Sequence, residues 1–243
     1  MPHYRLDISY DGSRFKGWAV QPGMRTVQGE LEEAIARVLR APAPLTVAGR
    51  TDAGVHALAQ VASLTTDRSL PESFERAVNS LTGPDVAVTA VAEAPGFDAR
   101  RHARSRRYRY RLELGGPPSP FERGRALNWP YPFDREALAE CAAMLRGTHD
   151  FTAFTPTETA HVRFERDVLE AVWHEEGGRI ACFEIEADSF MRNMVRVLVG
   201  TMLEVGGGRR DPASFRALLD GAPRAEAGPT APARGLYLIG VTY

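Results

Sequence analysis

Cysteine is nearly absent from this 243-residue chain, which has only Cys141 and Cys182. Both sit in apolar runs and fit neither a disulfide framework nor a zinc site. They read as small buried hydrophobes, consistent with a reducing, cytoplasmic setting. Long apolar runs are missing too. The longest, Met194 to Val205, is interrupted by Arg196 and is too short to span a bilayer. The opening Met1-Pro2-His3-Tyr4 carries no basic-then-apolar leader, so no membrane role is expected. Lysine is reduced to Lys16, an imbalance that codon usage alone would produce. The six histidines show no His-x-x-x-His spacing, and no metal is expected. Excess charge is also lacking. With a formal net charge of -1, the whole surface does not attract nucleic acid, and any RNA affinity must come from a local basic face.

Such a face is written into one segment: seven of the twelve residues from Arg100 to Arg111 are arginine. Arginine suits bidentate phosphate contacts and stacking on bases. The remaining composition, 44% hydrophobic and 25% charged, is that of an ordinary globular chain with one large domain or two small ones.

Periodicity predicts a strand over His3–Tyr10 and a helix over Val27–Arg40 capped by Thr26. Strands follow at Leu45–Ala48 and Leu58–Leu64. Pro71 opens a helix to Leu81, and Val86–Val91 alternates as a strand. This is the β-α-β-β-α-β order of a ferredoxin-like unit. The second half repeats it. A strand over Arg107–Leu114 leads through a Pro-rich connection to a helix from Asp134 to Leu145. A hairpin of Val168–His174 and Arg179–Glu186 turns at Gly177-Gly178. Helices start at Ser189 and at Asp211-Pro212, and Leu236–Thr242 closes as a strand. The expected fold class is α/β of the α+β type, in two tandem ferredoxin-like halves, 1–100 and 101–243, with mainly antiparallel sheet.

The chemistry concentrates in Gly49-Arg50-Thr51-Asp52-Ala53-Gly54-Val55-His56, a loop between two strands. Glycines at both ends permit sharp turns or close approach. A carboxylate on such a loop beside an arginine is a candidate catalytic group. An aspartate closing a tight turn is the commoner fate of Asp between strands. Arg196, set among Val195, Val197, Leu198 and Val199, needs a counter-charge, because buried charges are usually paired. Tyr108 and Tyr110 share one face of their strand, and at least one of them belongs to the core.

Taken together, these motifs identify a family. The stretch from Gly49 to Ala57 closely resembles the signature of the TruA family of tRNA pseudouridine synthases. So do Tyr10-Asp11-Gly12 with Gly17-Trp18, Arg25 to Glu32, and Phe97-Asp98-Ala99-Arg100. Arg107-Tyr108-Arg109-Tyr110, His149-Asp150-Phe151, Asn193-Met194-Val195-Arg196 and Gly235-Leu236-Tyr237-Leu238 follow in the family's order. The resemblance implies two halves sharing one continuous sheet, with the active-site cleft between them. It implies conversion of uridine to pseudouridine in the anticodon arm of tRNA (positions 38–40), without a cofactor and by a homodimer. Asp52 is the catalytic residue it implies and Arg196 the partner of Asp52. It also implies that Tyr108 packs against the flipped base, that Arg50 helps displace that base, and that Leu236 is an apolar lid. Arg100 is taken as a further substrate contact, and Arg104, Arg106 and Arg107 as RNA-binding residues.

The chain departs from the family pattern at Ala19, Val20 and the segment from Thr155 to Glu165, which bears on the choice of RNA. Two rivals remain: a non-catalytic RNA-binding module, and an Asp/His hydrolase built on Asp52 and His56. The second lacks a serine or cysteine elbow.

Overall fold

Alternation in His3–Tyr10 lays down β1, whose Tyr4, Leu6, Ile8 and Tyr10 are buried on one face. The computed structural model describes residues 1–159 and 162–243. Residues 160 and 161, within the divergent 155–165 segment, lie outside the described residues. The chain divides into two compact units: Met1–Arg104 with Tyr237–Tyr243, and Ser105–Leu236. Residues 101–104 and the final strand, placed with the second half by sequence, group with the first unit.

After β1, the first unit runs through α1 (Val27–Leu39), β2 (Leu45–Val47), β3 (His56–Thr65), α2 (Phe74–Leu81) and β4 (Val86–Glu93). The Thr26 hydroxyl caps α1 by accepting from Gly29 N–H, and Val27, Leu31, Ala34 and Ile35 form its buried stripe. The strand order is β4-β1-β3-β2 with every neighbour antiparallel, the ferredoxin-like arrangement. Tyr10 at the end of β1 lies opposite Ala57 at the start of β3, so the Asp52 loop lies at that end of the sheet. Pro71 does not open α2. Its carbonyl accepts from Phe74 N–H in a separate turn, and the helix begins only where Phe74 and Val78 can be buried one turn apart.

The second unit contains β5 (Ser105–Leu114), β6 (Leu127–Trp129), α3 (Arg135–Met144), β7 (Gly147–Asp150) and β8 (Glu165–Gly177). It continues with β9 (Ile180–Ala187), α4 (Met194–Gly206) and α5 (Pro212–Ala217). Its strand order is β6-β5-β9-β8-β7, antiparallel except where β6 runs parallel to β5. Asp134 and Asp211 cap α3 and α5 as their sequence positions predict. Ser189 does not cap α4. The Asp188 carboxylate accepts from Ser189 and Asp167 N–H, and a turn intervenes before Asn193 enters the left-handed region at φ 63° and the helix starts. The 3-residue β6 and 4-residue β7 were not foreseen, since so few residues carry no readable alternation.

Helix α4 is apolar nearly all round and is correspondingly buried. Both cysteines are free and buried, and burial pushes each thiol up to about 12, which leaves them inert at neutral pH. The last strand, β10 (Leu236–Thr242), pairs parallel to β3 at Tyr237–His56 and Leu238–Ala57.

Candidate active site

Asp52 opens a four-residue turn closed by Val55 N–H on the Asp52 carbonyl at 3.1 Å. Gly54 takes the third position at φ 80°, a conformation that glycine supplies without a Cβ clash. Thr51 and Val55 on either side are buried, while Asp52 is half-exposed. The turn therefore fixes the backbone around a half-exposed Asp52.

The platform under this turn is the segment from Tyr10 to Trp18. Gly54 N–H donates to the Phe15 carbonyl at 3.3 Å, and Trp18 N–H donates to the Thr51 carbonyl at 3.0 Å. Gly17, at φ 96°, lies so close that a Cβ would come within 2.9 Å of the Thr51 carbonyl oxygen. Gly12 is closer still, and a Cβ there would overlap the Val55 carbonyl. The Tyr10 hydroxyl pairs with Thr51 Oγ1 at 2.8 Å and receives Gln60 Nε2 at 3.3 Å, while the same amide donates to the Gly49 carbonyl at 2.9 Å. Burial pushes the Tyr10 phenol up to about 12, so it stays protonated and keeps the bond to Thr51.

His56 completes the platform. Gly12 N–H lies 3.1 Å from its Nδ1. Asp11 Oδ1 lies 3.2 Å from the same nitrogen, and Tyr237 stacks on the ring at 4.5 Å. A buried imidazole engaged this way orients backbone, which removes the basis for an Asp/His hydrolase. The support that Tyr10, Gly12, Trp18, His56 and Gln60 give this turn was not read from the sequence. The Tyr-Asp-Gly and Gly-Trp motifs were the available signal.

Arg50 stands exposed just before the turn and has no ion-pair or hydrogen-bond partner among the described residues. Arg100 is exposed in the Phe97-Asp98-Ala99-Arg100 turn. The Asp98 carboxylate there accepts from Arg101 and Arg100 N–H, which holds its carboxyl below the usual range.

In the second unit, Tyr108 is buried edge-on against Phe190 at 5.0 Å. Tyr110 is the core residue of the pair, its hydroxyl donating to the Pro232 carbonyl at 2.7 Å. Arg196 reaches the neighbouring Ala231 carbonyl through Nε at 2.7 Å and Asn193 Oδ1 through Nη1 at 3.0 Å. The charge of Arg196 acts on the Tyr110 phenol, although burial dominates and raises its pKa. Gly235 lies flat on Tyr110, where a Cβ would come within 2.8 Å of the ring, and Leu236 beside it is buried. This unit thus brings Arg196 and the Gly235-Leu236 segment around one tyrosine of β5.

The basic run divides by strand alternation. Arg104 is exposed, and Arg106 donates to the Asp188 carbonyl. Arg107, Arg109 and Arg111 project from one face of β5 into a ladder of carboxylates. Arg107 meets Glu184 at 2.9 Å and Glu170 at 3.0 Å; Arg109 meets Glu184 at 2.8 Å and Glu176 at 3.1 Å. Arg111 meets Glu176 at 2.7 Å and Glu122 at 2.6 Å. Burial alone would raise the Glu184 carboxyl, but hydrogen bonds from Arg109 and His174 outweigh it and leave its pKa lowered.

A carboxylate with a lowered folded pKa stabilises the fold above its unfolded pKa, and that stabilisation disappears as pH falls through the folded value. Glu184→Gln is therefore expected to lose about 1–3 kcal/mol at pH 7. Its difference from wild type should narrow below about pH 4. Denaturant midpoints at the two pH values check this. Equal stabilities at pH 7 would mean that the ladder contributes nothing.

The fold is mixed α/β, and its first unit presents Asp52 half-exposed on a turn with a fixed backbone. Among the described residues no group of three or more His, Cys, Asp or Glu is arranged to hold a metal ion. A family model described as tRNA pseudouridine synthase matches residues 8–100 and 141–243. A tRNA pseudouridine synthase A of Frankia casuarinae is 45% identical over 247 residues, covering 98% of this chain and 88% of that protein. One of Myxococcus xanthus is 42% identical over 248 residues, covering 100% and 92%. One of Moorella thermoacetica is 41% identical over 247 residues, covering 100% of both. The chain belongs to the tRNA pseudouridine synthase family. Its activity is that of an isomerase acting on tRNA.

Proposed function

We propose that this isomerase converts uridines of the tRNA anticodon arm to pseudouridine, acting as a homodimer and with Asp52 as the catalytic group. The observation that carries the reading is the turn itself: its backbone is fixed on every side while the Asp52 side chain is left accessible. Making pseudouridine breaks the N1–C1′ bond, rotates the uracil and rejoins it through C5. Atoms balance within one nucleotide, so neither a redox partner nor a metal enters the stoichiometry.

A uridine in a paired stem is inaccessible, so the base is flipped out, at an expense of a few kcal/mol met by contacts to the base and strand. Tyr108 supplies an aromatic contact for the base, worth about 1–3 kcal/mol where stacking is complete. Arg50, Arg100, Arg196 and Leu236 are the further substrate contacts. Arg104 and Arg106 serve the phosphate backbone, as does Arg107 to the extent that its three carboxylate neighbours leave it free. The Asp52 carboxylate attacks the base, attacks the sugar, or removes a sugar proton; each route needs the ionised group.

The test is incubation of the purified chain with unmodified tRNA transcripts, followed by mapping of pseudouridine nucleotide by nucleotide. Product confined to the anticodon arm, with the strand uncut, is expected. Product elsewhere in the tRNA, or strand cleavage, overturns the reading.

A further inference from the structure

The end of the first unit that carries Asp52 also carries a loop from Arg14 to Arg25, which begins in the platform under the turn and runs on beyond it. Lys16 N–H donates to the Arg25 carbonyl at 2.9 Å, closing the loop at its neck. Gln21 Nε2 returns to the Lys16 carbonyl at 2.9 Å, and Met24 N–H donates to the Gln21 carbonyl at 3.2 Å, which folds the tip. Val20 and Met24 stand on this tip, each 53% exposed although apolar. The neck touches the catalytic turn directly, since Phe15, between Arg14 and Lys16, accepts from Gly54 N–H.

Charge at this end of the sheet is unbalanced. Arg25 is neutralised by Glu30 at 2.8 Å and Asp85 at 2.6 Å. Asp11 is engaged by Ser13 N–H and faces His56. Arg14 and Lys16 are exposed, and their charged side chains, like that of Arg50, have no partner among the described residues. Two further exposed cations of this unit lie away from that end. Arg40 ends α1 and Arg68 follows β3, about 20 and 33 Å along those elements from their Asp52-side starts. Cations left unpaired at a neck, with bare apolar side chains at the tip, match a strand that offers phosphates and unstacked bases.

We propose that the loop from Arg14 to Arg25 grips the RNA beside the target uridine. Arg14 and Lys16 hold backbone phosphates, and Val20 and Met24 cover the bases that lose their stacking when the uridine leaves. This rests on the reading of Asp52 as the catalytic group and adds residues to it. The neutralised ladder on β5 makes the need plain: three arginines of the basic run are committed to glutamates, so phosphate contacts must come partly from elsewhere.

The experiment uses the full chain and an unmodified tRNA transcript. Arg14→Ala/Lys16→Ala is expected to raise KM at least tenfold at physiological salt, with kcat lowered less than threefold. It should also flatten the plot of log affinity against log salt by about 1.5, since two neutralised phosphates each release counterions. Val20→Ser/Met24→Ser should keep the wild-type salt slope, because no charge changes, but lower the single-turnover rate at saturating tRNA about tenfold. Arg68→Ala serves as control and should match wild type. A wild-type slope in the Arg14/Lys16 variant, or an equal change in Arg68→Ala, overturns the proposal. Asp52→Asn run alongside separates the two readings. If it is inactive while the slopes are unchanged, only the loop proposal fails; if it is active, the assignment of Asp52 fails.

Discussion

Asp52→Asn is expected to bind tRNA with wild-type affinity and to show no measurable turnover. The turn around this residue is closed by its backbone carbonyl and by neighbours on both sides. Asparagine has nearly the same shape, and the half-exposed position tolerates the amide. What is lost is the anionic oxygen, which every available route requires, as nucleophile or as base. Removing a positioned general base alone removes about 10²–10⁴-fold, and removing a nucleophile removes the pathway. Single-turnover rates should therefore fall by at least about 10⁴-fold, with denaturant midpoint and tRNA affinity within error of wild type. A residual rate within tenfold of wild type would remove Asp52 from the chemistry. A loss of binding in parallel would instead make it a recognition residue.

The outcome for binding connects to the way charge is distributed. Read as a string, the run from Arg100 to Arg111 is one basic patch. Folded, it is a turn followed by a strand, and a strand sends successive side chains to opposite faces. Arg107, Arg109 and Arg111 meet glutamates from β8 and β9 that lie more than 60 residues away in sequence. No local pattern announces such pairing. The same limit applied to the Asp52 loop. Its glycines and its carboxylate were legible because the signal is contiguous. Its supports were not, because Gly12 and Gly17 meet it by close approach and Trp18 by a backbone bond, all from far away in sequence.

The elements followed the same division. Strands β1, β3, β4 and β9 and helix α1 were readable from periodicity and from caps that use only neighbouring residues, as Thr26, Asp134 and Asp211 do. Ser189 offered the same local chemistry as those caps. Its place was decided instead by Asp188 binding two backbone N–H groups and by Phe190 packing on Tyr108 in another element. The long hairpin of β8 and β9 was recognised from Gly177-Gly178, whereas β6 lay hidden in a Pro-rich connection. Strand order in the first unit followed directly from the β-α-β-β-α-β order once β1 was placed between β3 and β4.

The platform also makes a sharp expectation for a residue that never touches substrate. Gly12→Ala should lower the rate of isomerisation about 10²-fold or more while the protein remains folded. Gly12 has an ordinary backbone conformation, so alanine meets no conformational strain there; the obstacle is space alone. Its added methyl overlaps the carbonyl of Val55, the residue that closes the Asp52 turn, and that atom is backbone with no rotamer to escape into. His56, bonded to Gly12 N–H, must move or lose that bond too. Overpacking of this kind typically costs about 1–3 kcal/mol, less than most domains' total stability. Displacement of a catalytic group by about 1 Å suffices for a 10²-fold loss. Gly96→Ala is the matched control. Gly96 sits at φ 72° with nothing near its missing Cβ, so alanine there should lose about 1 kcal/mol from conformation and leave the rate unchanged. Rates and denaturant midpoints for the two variants separate position from stability. If Gly12→Ala turns over like Gly96→Ala, the segment from Tyr10 to Trp18 is not what positions Asp52.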